Sequence, residues 1–281
     1  MNQNNPLRQY FRQPAIYLRL PSMGKFYPDG AIDLPPNNEL PILPMTAIDE
    51  ISYRTPDALF NGSAVVSVVH SCIPNIADPW AIPAIDVDSI LVGIRIASYG
   101  HNMDFDSTCP HCGKISNRTL DLRSVLDRIK APDYSQPIVH GDMEIYLKPM
   151  TYKNLNDNNQ MQFDEQKILN LIPDSEMPDS QKMEALSAAL RKITEVTVHA
   201  LSLSIATVKT PTAIVSEPEY IEDLLKNCDR VLFNSIRSRI IELKAMAELQ
   251  PFEIECDNEA CQKKYMQSVT LDMASFFVPA S

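Results

Sequence analysis

Glycine is scarce in this chain, with 7 among 281 residues, and no run of apolar residues is long enough to cross a bilayer. Glycine allows a loop to bring backbone amides close to a phosphate, so the low count disfavours a nucleotide-binding enzyme. A membrane span needs about 18 consecutive apolar residues. Residues 1–14 also lack the apolar core of a signal peptide. We therefore expect a soluble protein of the cytoplasm.

Positive charge is also in short supply. The chain has 25 Lys and Arg against 36 Asp and Glu, which gives a net charge of −11 and a pI near 4.9. Such a chain repels a phosphate backbone unless one region gathers its basic residues. Residues 1–28 do so, with four basic residues and no acidic one. Two interpretations stay open for this segment: a frayed terminus followed by a strand, or a basic arm that docks on an acidic partner, including a second copy of the chain.

Recognised catalytic motifs are missing as well. The sequence has no Gly-x-Ser-x-Gly elbow, His-Glu-x-x-His helix, Walker loop or paired-glycine dinucleotide turn. His70 and His199 lie in apolar helical runs, where we expect core or boundary histidines. We therefore expect no catalytic residue and a chain that is not an enzyme. An enzyme with a dispersed site would need a deep polar pocket, which a sequence does not reveal.

The residues that are present, 44 % apolar and 22 % charged, are typical of a folded globular chain. Periodicity predicts an α+β fold with short strands and longer helices. The predicted strands are 16–20, 136–140, 143–147 and 204–208, and the predicted helices are 47–53, 56–60, 64–72, 86–99, 179–203, 217–226 and 229–249. Gly100 is expected to end the fourth of these helices, and Asp179 is expected to cap the fifth. The apolar positions expected to be buried in the last three helices include Met183, Leu186, Leu190, Ile193, Val196, Val198, Val231, Leu232, Ile236, Ile240, Ile241 and Leu243.

Four of the six cysteines occur in two close pairs. Cys109-Pro110-His111-Cys112-Gly113 has the form of a zinc knuckle, and the pair Cys256 and Cys261 has four intervening residues, which is still a usual ligand spacing. Because disulfides are rare in the cytoplasm, a metal is the favoured interpretation. Reduced cysteines without metal are the alternative. The other two, Cys72 and Cys228, are expected to be small buried hydrophobic residues.

The flanks of the two cysteine pairs are similar to each other. Thr119-Leu120-Asp121-Leu122-Arg123-Ser124-Val125 follows the first pair, and Thr270-Leu271-Asp272-Met273-Ala274-Ser275-Phe276 follows the second. The offsets between equivalent positions differ by even numbers, which keeps each side chain on the same strand face. We infer a split zinc ribbon of two β-hairpins that holds one structural Zn²⁺ on Cys109, Cys112, Cys256 and Cys261. Such a closed site has no open coordination position, so His101 and His111 are expected to lie near it without binding the metal.

Several stretches, taken in order, resemble the T-even-type phage baseplate protein family. They are Leu20-Pro21-Ser22-Met23-Gly24-Lys25-Phe26-Tyr27, Pro44-Met45-Thr46-Ala47-Ile48-Asp49-Glu50, Cys72-Ile73-Pro74, Asp86 with Ile94-Arg95-Ile96-Ala97-Ser98-Tyr99-Gly100, Cys109-Pro110-x-Cys112 and Lys148-Pro149-Met150-Thr151. The resemblance covers about residues 16–150. It implies a non-catalytic protein of the baseplate hub in contractile-tailed phages, in contact with hub, tape-measure or central spike components. A transient assembly factor and a retained part of the tail are both compatible with it.

These observations define four segments and one preferred function. We expect an extended N-terminal arm at 1–40, a helical segment with the first ribbon hairpin at 41–125, a β-hairpin and inserted helical domain at 126–250, and the second ribbon hairpin at 251–281. The expected function is baseplate hub assembly through protein–protein contacts in the host cytoplasm, with retention in the virion tail baseplate left open. A zinc-ribbon adaptor for nucleic acid or transcription machinery is the alternative, which the net charge disfavours.

Overall fold

The structure is a computed structural model that describes residues 6–53, 62–172 and 178–268. The predicted helix at 56–60 and the second Thr-Leu-Asp repeat at 270–276 lie outside the described residues. The chain divides into two compact units, of which the first contains Met1–Pro79, Ile85–Ala131 and Ala247–Ser281, and the second contains Trp80–Ala84 and Pro132–Met246. None of the described helices has the length and apolar character that crossing a membrane requires.

Helices and short antiparallel strands alternate along the chain, which confirms the predicted α+β class. The strands are β1 (Ile16–Leu18), β2 (Leu40–Ile42), β3 (Asn102–Thr108), β4 (Ile115–Asp121), β5 (Ile138–His140), β6 (Met143–Leu147), β7 (Ile205–Lys209), β8 (Ile214–Val215), β9 (Phe252–Glu255) and β10 (Lys264–Gln267). The helices are α1 (Ala47–Tyr53), α2 (Ser63–Cys72), α3 (Ala84–Tyr99), α4 (Leu122–Leu126), α5 (Tyr152–Leu171), α6 (Asp179–Leu203), α7 (Pro218–Asn227) and α8 (Arg230–Ala247), with 3₁₀ turns at Pro6–Tyr10 and Pro79–Ala81.

Helix α3 is the central element of the first unit. Its apolar residues are buried around most of its circumference, including Ile90, Leu91, Val92 and Ile94. The β1–β2 ribbon packs so closely on it that a Cβ at Gly93 would lie 2.6 Å from the Ile42 Cδ1 atom. Any larger residue at position 93 would require the Ile42 side chain to shift. As predicted, Gly100 follows the last turn with a positive φ of 83°.

The basic N-terminal segment is tied to its own unit. The Arg12 guanidinium donates to the Pro44 carbonyl (2.5 Å) and the Ser71 carbonyl (2.7 Å), and it pairs with Asp49 at 3.4 Å. Arg19 pairs with Glu39 at 3.1 Å. Two of the four basic residues are therefore engaged by acidic groups within the first unit, so only part of the segment's charge is left for an external partner.

The second unit contains a four-stranded antiparallel sheet in the order β5-β6-β7-β8, with β5 and β6 joined at Gly141 as predicted. Helix α5 begins with a capping box, in which Thr151 accepts from the Asn154 amide and the Asn154 side chain accepts from the Thr151 amide. The core joins the sheet to the helices α6, α7 and α8. It consists of Ile145, Leu147, Val198, Leu201, Ile205, Val208, Ile221, Leu225, Leu232, Ile236 and Leu243.

The predicted buried face of α6 is wrong at two positions in the first half of that helix, whereas Leu186 there is partly buried. Met183 and Leu190 are 68 % and 56 % exposed, whereas Val196 and Val198 are buried. Only the last turns of α6 reach the sheet core, and α5, which packs beside α6, buries no residue of its own. A two-helix hairpin covers one side of each helix and leaves the rest exposed.

Three smaller predictions about these helices are also wrong. Val231 and Ile241 in α8 are mostly exposed, because α8 presents a single stripe to the sheet. Helix α6 begins at Asp179 itself, and the extended backbone of Pro178 occupies the N-cap position without a side-chain cap. A proline there cannot supply the oxygen that a cap requires.

Candidate metal centre

The four cysteines of the two knuckles converge in the first unit. Cys109 and Cys112 lie in the connection between β3 and β4, and Cys256 and Cys261 lie between β9 and β10. Their Sγ atoms all lie within 4.8 Å of one another. The Cys109 Sγ atom is 4.0 Å from the Cys261 Sγ atom, although the two residues are 152 positions apart in sequence. The Cys112 Sγ atom is 3.6 Å from the Cys256 Sγ atom, across 144 positions. The structure thus brings together all four predicted residues.

Each knuckle is closed by the same backbone hydrogen bond. The Cys109 amide donates to the Lys114 carbonyl at 2.9 Å, and the Cys256 amide donates to the Lys263 carbonyl at 3.1 Å. In each case the residue after the second cysteine has a positive φ, 73° at Gly113 and 47° at Gln262. The two connections therefore have equivalent backbones, as the inference of two related hairpins requires, even though they differ in length.

Below the cysteines, a polar and an aromatic contact join the two hairpins. The buried Ser107 hydroxyl lies 2.8 Å from the Tyr265 hydroxyl and donates to the Gln267 amide oxygen at 2.7 Å. Phe105 and Phe252 meet edge to face with ring centroids 5.8 Å apart. Sequence reasoning missed Ser107 and Tyr265 as positioning residues. The position of Ser107 two residues before Cys109, on the same strand face, was the available signal.

Two basic side chains of the first hairpin hold the backbone of the second knuckle. Arg118 donates to the Glu255 carbonyl and to the Asp257 carboxylate. Lys114 donates to the Asp257 carbonyl at 3.2 Å. In the sequence these two residues were among the few basic groups available for a nucleic-acid contact. Both are engaged instead in joining the hairpins.

The donor set and its spacing suit a tetrahedral metal ion. Zinc–sulfur bonds of about 2.3 Å place tetrahedral thiolates about 3.8 Å apart, close to the 3.6 and 4.0 Å of two of the Sγ pairs, and all pairs lie within 4.8 Å. A disulfide requires about 2.05 Å, and all four cysteines are free. Four thiolates select soft or borderline ions such as zinc or iron. The cluster could therefore hold a metal ion.

The local electrostatics oppose the ionisation of Cys112 and Cys256 together without a cation. The Lys114 backbone N–H lowers the pKa of Cys112 to about 7. At Cys256 the Asn258 N–H acts in the same direction, but burial and the neighbouring thiols outweigh it and raise the pKa to about 12. A divalent cation relieves this conflict by replacing the thiol protons.

None of the described histidines belongs to the cysteine cluster. Among the described residues the metal-competent cluster contains only cysteines, and His111 is exposed beside it. Cys72 is buried as predicted, whereas Cys228 is only half-buried. His70 is exposed on α2, so a core position for it is wrong, and His199 is half-exposed and 2.6 Å from the Glu222 carboxylate.

The comparisons with known proteins give one match. A family model described as T4 bacteriophage base plate protein matches residues 46–278. No curated protein and no solved structure matches the chain. The matched residues include both cysteine pairs and the whole second unit.

Proposed function

Because the chain belongs to the T4 bacteriophage base plate protein family, we propose that it is a non-catalytic component of the baseplate hub that works through protein–protein contacts. The family match carries this proposal, since it covers more than four-fifths of the chain. Baseplate proteins function by binding one another in a defined assembly. The partners of this chain are therefore other baseplate proteins, and we propose hub, central spike or tape-measure proteins in particular.

The second part of the proposal is that Cys109, Cys112, Cys256 and Cys261 hold one structural zinc ion. Four protein ligands complete a tetrahedral site and leave no position for water or substrate. When bound, the ion supplies a crosslink between the two hairpins. The protein contributes the rest: Ser107 with Tyr265, and Arg118 with Asp257, hold the hairpins in the orientation in which the four thiols converge.

The baseplate assignment is tested with a phage that lacks this chain and is complemented by a tagged copy. We expect complete tails only with complementation, and the tagged chain in hub-containing intermediates isolated from infected cells. Quantitative mass spectrometry of intermediates and finished tails then separates an assembly factor from a retained subunit. Normal tails without the chain would contradict the proposal.

The zinc assignment is tested by native mass spectrometry and elemental analysis of the purified chain. We expect one zinc per chain. One iron would keep the four-thiolate site but contradict its metal, and a folded chain with no metal would contradict the site itself.

A further inference from the structure

Helix α6 has an exposed face beside the side that packs on α5. Met183, Ser187, Leu190 and Thr194 follow one another at steps of four, three and four residues, which places them on one side of a helix. All four are exposed, including the two large apolar side chains, Met183 and Leu190. We call these four residues the α6 stripe. Its spacing is the one by which helices pack on other helices.

The central and polar residues of the α6 stripe suit a close contact. The Thr194 hydroxyl donates to the Leu190 carbonyl at 3.0 Å, so its hydrogen bond is made within the helix. Ser187 and its neighbour Ala188 are small and lie between Met183 and Leu190 along the helix. Small side chains let two helices approach closely, and the large ones on either side then fill the space around the crossing point. The stripe therefore has the profile of a helix–helix contact.

Each large apolar residue of the α6 stripe is followed directly by a charged one. Glu184 follows Met183, and Arg191 follows Leu190 seven residues later. Seven residues are about two helical turns, so the two opposite charges border the same side of the stripe. Both charged side chains are exposed, and neither forms an ion pair with another described residue. They are therefore available to a partner.

This order of charges is complementary to itself when two helices run in opposite directions. An antiparallel second α6 places its Arg191 opposite Glu184 and its Glu184 opposite Arg191. A parallel one places like charges together, which is unfavourable. Helix α6 has three acidic and three basic residues, while the chain carries a net charge of −11. Two copies of the chain therefore repel each other less at α6 than over their acidic surface as a whole.

We propose that α6 is a self-association surface, through which two copies of this chain pair with their α6 helices antiparallel across a two-fold axis near Ser187. In such a contact both copies use the same patch, so each interaction occurs twice. Met183 of one copy packs beside Leu190 of the other, and two reciprocal ion pairs between Glu184 and Arg191 border the apolar contact. The inference goes beyond the proposed function, because the pairing of two copies does not depend on the baseplate assignment.

Sedimentation equilibrium of the purified full-length chain tests the charge order. We expect a reversible dimer with a dissociation constant in the micromolar range. Glu184→Arg and Arg191→Glu each place like charges opposite one another at both ends of the contact, so each should raise the dissociation constant about tenfold or more. The variant with both changes restores opposite charges and should regain the dimer. Arg237→Glu, at an exposed arginine of α8 in the same unit, is the matched control and should leave the dimer unchanged.

The apolar part of the contact is tested with Leu190→Gln, which keeps a residue type that favours helix. We expect the dissociation constant to rise about tenfold or more, with the melting temperature of the diluted monomer unchanged because the side chain is exposed. Val231→Gln removes an exposed apolar side chain from α8 and should leave the dimer unchanged.

A chain that stays monomeric would overturn the proposal, as would a dimer that neither single charge variant weakens or that the combined variant does not restore. The complemented phage identifies a different occupant. If the chain is monomeric and Leu190→Gln lowers its entry into hub intermediates, the α6 stripe binds another baseplate protein and the proposed pairing is wrong. Because the pairing is measured on the purified chain, its failure leaves the baseplate assignment standing.

Discussion

The Ser107 hydroxyl and the Tyr265 hydroxyl lie 2.8 Å apart, although 158 residues separate them in the chain. Their contact lies below the cysteine cluster and joins the two hairpins through groups other than sulfur. Ser107 also donates to Gln267, so removing the tyrosine hydroxyl leaves the serine with one partner. We expect Tyr265→Phe to lower the free energy of unfolding by about 1 kcal/mol, the usual value of one buried hydrogen bond. Denaturant titration measures this loss, and Tyr17→Phe, at a mostly exposed tyrosine, should show none.

The metal prediction concerns stability. Changing both Cys112 and Cys256 to Ser leaves two ligands, so we expect a loss of more than about 4 kcal/mol, in the range that accompanies loss of a metal site. Cys228→Ser is the control, since Cys228 lies outside the four-cysteine cluster and its Sγ donates to the Leu225 carbonyl at 3.6 Å, which a hydroxyl can also do. A strong chelator should lower the melting temperature of the unaltered chain and not that of the double variant. Equal melting temperatures for all three proteins would contradict a structural metal.

Substitutions at the equivalent positions of the two knuckles, Gly113 and Gln262, should change the free energy of unfolding in opposite directions. Gln262 has a positive φ without being glycine, so Gln262→Gly should raise the free energy of unfolding by up to about 1 kcal/mol. Gly113→Ala at the equivalent position should lower it by about 1 kcal/mol. A Cβ at Gly113 meets nothing within 4 Å, so the backbone conformation alone causes the loss. Denaturant titrations of the metal-loaded proteins provide the measurement, and changes of the same sign would contradict the equivalence of the two knuckles.

Asp86 gives a pH dependence with a definite sign. Burial raises its pKa to about 6, despite the hydrogen bonds from Ser22 and Tyr27 that act in the opposite direction. In the unfolded chain its pKa is about 3.9. The folded state therefore binds the proton more tightly, so the stabilisation is fully present below about pH 4 and is lost as the pH rises through 6.

The size of this effect is on the order of 3 kcal/mol for a difference of about two pKa units. Asp86→Asn cannot ionise and keeps groups that can bond to Ser22 and Tyr27. Between about pH 3 and about pH 7, the difference in unfolding free energy between the two proteins should thus change by that amount, with the unaltered chain losing stability relative to the variant. A constant difference would show that Asp86 does not titrate in this range.

The features of the fold that could be predicted from the sequence are those with a local sequence signal. Gly100 ended α3 and Gly141 turned the β5–β6 hairpin because both positions need a positive φ that glycine adopts freely. The convergence of the cysteines was predictable from spacing, since two matching hairpins with even offsets present their thiols in the same way. The two glycines and the spacing within each cysteine pair are local signals, since they involve residues a few places apart.

The contacts that were not predicted join distant residues. Nothing near Asp86 in sequence indicates that Ser22, 64 residues earlier, donates to it. The apolar period of α6 is real, but it does not reveal that α5 and the sheet leave Met183 and Leu190 uncovered. The charge of Arg118 suits a phosphate or a carboxylate equally well, and only the fold places Asp257 beside it.

The separation of the two cysteine pairs has a consequence for synthesis of the chain. Cys112 leaves the ribosome 144 residues before Cys256. At about 5–20 residues per second, the first pair of thiols waits on the order of ten seconds for the second pair. During that interval the two early thiols are open to oxidation or to a wrong metal ion. The cluster can therefore be completed only after the chain through Cys261 has left the ribosome.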